Sequence, residues 1–170
     1  QVAALLAAEG ATTSVEWGLD HGAWSVLVHL YPGANIPVLQ LSIDNRRSGA
    51  EHLALGSLLT PLRDEGVLIL GSGNIVHNLR HAIRYLADHA AETPDWATDF
   101  DARVAVALEA GDLSTLAALP ATLLGAQAHP TSDHYLPLLY CAGAAIGDAV
   151  SFPITGFDAA SLSMRSVRWG

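Results

Sequence analysis

A chain of 170 residues with 51% hydrophobic content suffices for one domain built on a single sizeable core. Its one cysteine, Cys141, excludes an intrachain disulfide, a four-cysteine zinc site and an iron–sulfur cluster made from this chain alone, and fits a reducing, cytoplasmic compartment. All eight basic residues are Arg and none is Lys, which excludes Schiff-base chemistry and a phosphate loop with its Lys, and the net charge of -9 opposes a nucleic-acid partner.

The opening stretch from Gln1 to Gly10 is short and apolar, without a positive leader. No run reaches the roughly 18 apolar residues of a membrane span, so neither export nor a membrane partner is expected. Trp24 to Leu30 reads as a helix closing at Tyr31-Pro32-Gly33, and Pro37 introduces Val38 to Ile43, an apolar run of strand length. Ser48 with Glu51 forms a capping box before Leu55, Leu58, Leu59 and Leu62, which share one helical face as far as Gly66. Val67 to Leu70 is a second apolar run and ends in the glycine turn Gly71-Ser72-Gly73-Asn74. Strand, helix and strand in this order predict a parallel crossover unit.

Further on, Thr93-Pro94-Asp95 starts a helix with Pro94 in its first position, and the pattern runs through Trp96, Phe100, Val104 and Leu108 to Gly111. Asp112 caps a shorter helix to Leu119. Pro130 to Asp133 caps a helix from His134 to Ile146, with Leu138, Cys141, Ala142 and Ala145 on one face; it is apolar nearly all round and is expected to be buried. Val150 to Ile154 and Ser161 to Trp169 alternate as strands and predict an antiparallel closing pair. The expected fold class is α/β: a mixed, largely parallel central sheet flanked by helices, with an antiparallel C-terminal strand pair.

With no Lys and one Cys, the eight histidines are the obvious source of special chemistry. His77 follows the glycine turn, where a strand end delivers polar side chains to a sheet edge; the same spacing also describes a tight turn with a packing histidine. His134 opens an apolar helix, and burial there demands a hydrogen bond or a metal for the ring. Asp20-His21, flanked by Gly18 and Gly22, either caps the following helix or lines a substrate pocket. His77 and His81 lie four apart, yet Asn78-Leu79-Arg80 between them lacks the Glu of a metalloprotease helix. His29, His52 and His89 stand alone and read as surface or helix-end residues. Ser72 lies outside any Gly-x-Ser-x-Gly elbow, so a serine hydrolase is a weak alternative.

Five ordered stretches carry a family resemblance: Trp17-Gly-Leu-Asp-His-Gly-Ala-Trp24, Ile36-Pro-Val-Leu-Gln-Leu-Ser-Ile-Asp44, Gly71-Ser-Gly-Asn-Ile-Val-His-Asn-Leu-Arg80, His134-Tyr-Leu-Pro-Leu-Leu-Tyr140 and Ser161-Leu-Ser-Met-Arg165. Together they resemble the class III extradiol ring-cleavage dioxygenases (protocatechuate 4,5-dioxygenase β-subunit-like), in their 4,5-DOPA dioxygenase branch. The resemblance implies a ring-cleaving enzyme that inserts O2 into a catechol at a mononuclear metal, Fe(II) for activity or Zn(II) as found. It implies His77 as the acid–base residue and, less firmly, a metal contact, His134 as a metal ligand, and His21 as a substrate-pocket histidine. His129 is not assigned as a ligand, and the stretch from His89 to Gln127 matches poorly.

Two further imidazole ligands are expected upstream of Gln1. Residues 1–170 therefore read as a single catalytic domain lacking its N-terminal strand–helix portion. A homo-oligomer, or a separate chain supplying the missing ligands, follows as a possible partner, since an incomplete sheet exposes an apolar edge. A non-catalytic metal-binding or interaction protein of the same fold is the alternative.

Overall fold

The computed structural model describes residues 1–88 and 92–170, with Asp88 described by its backbone alone. His89, expected at a surface or helix end, lies outside the described residues.

The chain opens with α1 (Val2–Leu5), a short 3-10 turn, and α2 (His21–Leu30). Asp20 caps α2 by accepting the Ala23 N–H at 2.9 Å, which supports the capping reading of that residue. The capping box at Ser48 and Glu51 forms as expected and starts α3 (Gly49–Ser57). The continuous helix expected to Gly66 instead breaks at Leu58–Leu59 and restarts as α4 (Thr60–Asp64), with Pro61 in its first turn. Pro lacks the N–H that an unbroken helix needs at that point.

Next come α5 (Leu79–Asp88) and α6 (Asp95–Glu109). Pro94 is the cap of α6 rather than its first residue, and Gly111, at φ 66°, ends the turn that follows. Asp112 caps α7 (Leu113–Ala118) through Thr115 N–H at 3.0 Å. Thr122 caps α8 (Leu123–Ala128), a helix not anticipated from the apolar pattern. The last helix, α9 (Leu136–Ala144), begins two residues later than expected, so His134 ends a 3-10 turn at Ser132–His134 and lies outside the helix.

The expected sheet needs correction. The chain combines helices with two small antiparallel strand pairs, consistent with an α/β class, but neither Val38–Ile43 nor Val67–Leu70 forms a strand. Residues 35–43 and 68–73 make no backbone–backbone hydrogen bond among the described residues. A strand exists only through its ladder, so an apolar run without a neighbour remains a loop. The closing pair does form: β1 (Val150–Ser151) runs antiparallel to β4 (Arg168–Trp169). A second pair, β2 (Phe157–Asp158) with β3 (Leu162–Ser163), divides the expected long strands.

The core centres on α9, which packs along α3. Gly56 and Gly143 permit the crossing, since a Cβ on either would strike the Tyr140 or Leu53 carbonyl. Phe100, Val104, Leu116, Tyr135 and Leu139 form the main cluster, and Leu6, Leu55, Leu59, Leu62 and Tyr140 a second one. Asp101 on α6 binds Arg165 through two nitrogens (3.1 and 2.6 Å) and accepts from Ser163 Oγ at 2.6 Å. Arg165 also lies over the Phe152 ring at 4.7 Å, tying α6 to the strand segment. No helix among the described residues is long and apolar enough to cross a membrane.

Candidate functional site

The turn after residue 70 is stitched on both sides. Asn74 N–H donates to the His134 carbonyl at 3.0 Å, and its side-chain amide donates to the Ser163 carbonyl at 2.9 Å. His77 N–H donates to the Ala128 carbonyl (3.0 Å) and Ser163 N–H to the Val76 carbonyl (3.1 Å), with a bridge between His77 and Leu162. Gly73 presses against the backbone of His134, where any Cβ would strike the carbonyl oxygen. The 128–134 and 162–163 segments thus hold residues 73–77 between them.

This stitching brings two of the expected histidines together. The His77 and His134 rings stack with centroids 3.5 Å apart and planes 15° apart. Neither ring makes a side-chain hydrogen bond among the described residues; the nearest carboxylate, Asp133 Oδ2, stands 3.6 Å from His134 Nε2. Burial, and then the neighbouring His134, hold the His77 imidazole below its ordinary pKa, while Asp133 opposes. A neutral His77 is thereby favoured near pH 7. Beside Thr131, the Asp133 carboxyl is in turn held below its ordinary value.

A cavity of about 600 Å³ opens on this pair, with Asn78, Arg80, Thr131 and Asp133 on its wall. His134 also borders a larger open cavity of about 1000 Å³, reached past Gly71, Gly73 and Asn74. His21 borders neither. It is exposed at the start of α2, which is tied to the glycine turn where Ser72 Oγ donates to the Gly22 carbonyl at 2.6 Å. That bond commits the Ser72 hydroxyl to structure. Burial pushes the Cys141 thiol up to about 11, which removes it as a nucleophile at neutral pH.

The remaining histidines divide differently from expectation. His81 does not join His77: it lies within α5, edge-on to Trp96 at 5.4 Å, while His77 precedes the helix. His29 is exposed in the last turn of α2, as expected. His52 is not a surface residue but is fully buried, sharing a 3.0 Å hydrogen bond with Tyr140 Oη. Tertiary packing of α3 on α9 overrides a sequence position that looked solvated.

His129 is buried against Phe100 and Tyr135, and its Nε2 meets the Ile75 carbonyl at 2.5 Å, which requires the proton on Nε2. It clamps the backbone at Ile75, two residues before His77. Asn78 accepts from His81 N–H at 3.1 Å and so caps α5; Asn ahead of a periodic apolar face is the signal that could have found it. Arg80 and Asp133 carry no comparable local signal.

The donor chemistry suits one metal contact. His134 presents an uncommitted imidazole to the cavity, with His77 beside it, but among the described residues no group of three metal-binding side chains assembles. What the arrangement can do by itself is hold a planar ligand beside a neutral base.

Comparison with known proteins agrees on one family. Residues 1–165 match the family model described as the catalytic LigB subunit of aromatic ring-opening dioxygenase. The chain is 42% identical over 159 residues to the 4,5-DOPA dioxygenase extradiol of Escherichia coli (strain K12), covering 91% of this chain and 57% of that protein. It is 39% identical over 145 residues to the 4,5-DOPA dioxygenase extradiol of Beta vulgaris, covering 83% and 53% respectively. The crystal structure of an uncharacterized protein from Escherichia coli K12 superposes with a TM-score of 0.86 at 41% identity, over 98% of this chain and 69% of that one. The chain therefore spans about half the length of the curated relatives it matches.

Proposed function

This chain belongs to the family of catalytic LigB subunits of aromatic ring-opening dioxygenases, and from that membership we propose that it cleaves a catechol such as DOPA in extradiol fashion, inserting both atoms of O2. The observation that carries the reading is the stacked His77–His134 pair, its ring nitrogens free of hydrogen bonds, open to a cavity large enough for one aromatic ring.

A mononuclear non-haem metal, Fe(II) for activity with Zn(II) as an alternative occupant, supplies chelation of the catechol oxygens and an electron path to O2 when bound. In this reading His134 is a ligand, and further ligands come from outside the described residues. His77 is the acid–base residue: kept neutral by its surroundings, it accepts the proton of a catechol hydroxyl and later returns it to an oxygen of the opened product. Its contact with the metal is a secondary assignment, since stacking on His134 leaves its nitrogens free for either task. His21 is read as a substrate-pocket histidine from the family resemblance alone: it lines neither cavity, and what links it to the site is the tie of α2 to the glycine turn between Gly22 and Ser72. Residues 1–170 are read as one catalytic domain, cytoplasmic on the strength of its single thiol. The apolar faces left exposed favour a homo-oligomer or a companion segment.

A second reading, a non-catalytic metal-binding or interaction protein of the same fold, is favoured by one observation: the missing group of three ligands among the described residues. Anaerobic reconstitution with Fe(II), followed by oxygen uptake with DOPA and simple catechols, separates the two. Stoichiometric uptake with a yellow ring-opened product supports the dioxygenase; bound metal without uptake supports the second reading. His134→Ala is expected to lower metal occupancy, and full occupancy by metal analysis rejects His134 as a ligand.

A further inference from the structure

The geometry points to Arg80 as the residue that reads an anionic group on the substrate, so that the site selects catechols bearing a carboxylate over those bearing an ammonium. This rests on reading the cavity as a catechol site and adds the determinant of its specificity.

Arg80 is exposed in the first turn of α5, three residues after His77, and lines the same cavity as His77 and His134. Five arginines are committed to carboxylates: Arg46 to Asp44, Arg47 to Glu9, Arg63 to Asp148, Arg103 to Asp99 and Arg165 to Asp101. Arg80 has no ion-pair partner among the described residues. Its neighbours three and four positions away in sequence are Val76, His77, Ile83 and Arg84, none of them acidic. Arg84 and Arg168 likewise have no ion-pair partner among the described residues, but of these three arginines only Arg80 lines the cavity that opens on both His77 and His134.

The other full charge on that wall is Asp133, whose carboxylate faces His134. The cavity is thus polarised, with a negative group beside the histidine pair and a positive one toward the start of α5. A catechol ring seated by the histidines with its acidic side chain toward Arg80 satisfies both ends. The guanidinium fork matches a carboxylate through two parallel N–H donors, whereas an ammonium there meets like charge.

The test compares the purified wild-type protein with Arg80→Gln and Arg80→Glu, an exposed position where folding is not at stake. Binding of 3,4-dihydroxyphenylpropionate and of dopamine is measured by calorimetry, and turnover of each by oxygen uptake. Arg80→Gln is expected to weaken binding of the carboxylate about tenfold while binding dopamine at least as tightly as the wild type, and Arg80→Glu to reverse the preference. Equal loss for both ligands, no loss for either, or a wild-type protein that does not bind the carboxylate overturns the assignment. If binding follows the expected pattern but neither catechol is turned over by the metal-loaded wild type, the dioxygenase reading fails and the role of Arg80 stands.

Discussion

Two helices of similar apolar character meet opposite fates. In α9, Leu136, Leu139, Tyr140, Ala142, Gly143 and Ala144 are buried, enclosed by α3 and the main cluster. In α2, which also carries Trp24, Val26, Leu27 and Val28, no residue is buried and Trp24 is 54% exposed. The difference extends beyond the helices, for Leu6 is the one buried residue in 1–50, and Ile36, Val38 and Leu39 face outward. Apolar sequence announces a face to be covered; only a partner in space covers it. The packed region carries the stacked histidines, and the open region carries His21.

The contrast can be broken or sharpened by experiment. On the proposed dioxygenase function, His77→Ala, in the region whose backbone is fixed on both sides, is expected to reduce ring-cleavage turnover by about 10²–10⁴-fold while metal stays bound, as for loss of a general acid–base. Unchanged steady-state rates would remove His77 from the chemistry. Phe100→Ala empties the middle of the core and is expected to cost about 3–5 kcal/mol in denaturant unfolding. A cost below about 1 kcal/mol would mean that the cluster around α6 is looser than its burial implies.

The third prediction concerns pH. Burial, ahead of the opposing bond to the Ile75 carbonyl, pushes His129 from 6.5 down to about 4. Between those values the folded chain holds fewer protons than the unfolded one, so stability rises with pH across this window. It is lost as pH falls through the window, by up to about 3 kcal/mol from this group. Chemical denaturation at pH 7 and pH 4.5 measures the slope, and a stability flat over that range contradicts a neutral, buried His129. The smallest effect is expected in the open region: Trp24→Ala should change stability by less than about 1 kcal/mol. A loss above about 2 kcal/mol would show that something covers the α2 face in solution.

Local physics made much of the framework legible in advance. The Ser48 capping box, the Asp20 and Asp112 caps, the end of α6 at Gly111 and the burial of α9 all follow from interactions within one or two helical turns. The expected strands failed for the converse reason. Val38–Ile43 and Val67–Leu70 have strand-like side chains, but a ladder is a contract between two segments and cannot be read from one. His52 reads as a surface residue on the same ground: no ligand or partner stands near it in sequence, whereas its hydrogen-bond partner, Tyr140, arrives from α9.

The residues themselves determined the caps, the turn glycines, the absence of Lys chemistry and the motif order by which the family is recognisable, because each is fixed by local geometry or by counting. Tertiary structure decided that His77 stacks on His134 while His81 turns to Trp96, that His129 is a clamp, and that Arg80 and Asp133 share a wall. These are contacts between segments distant along the chain, and no periodicity within either segment encodes the position of the other.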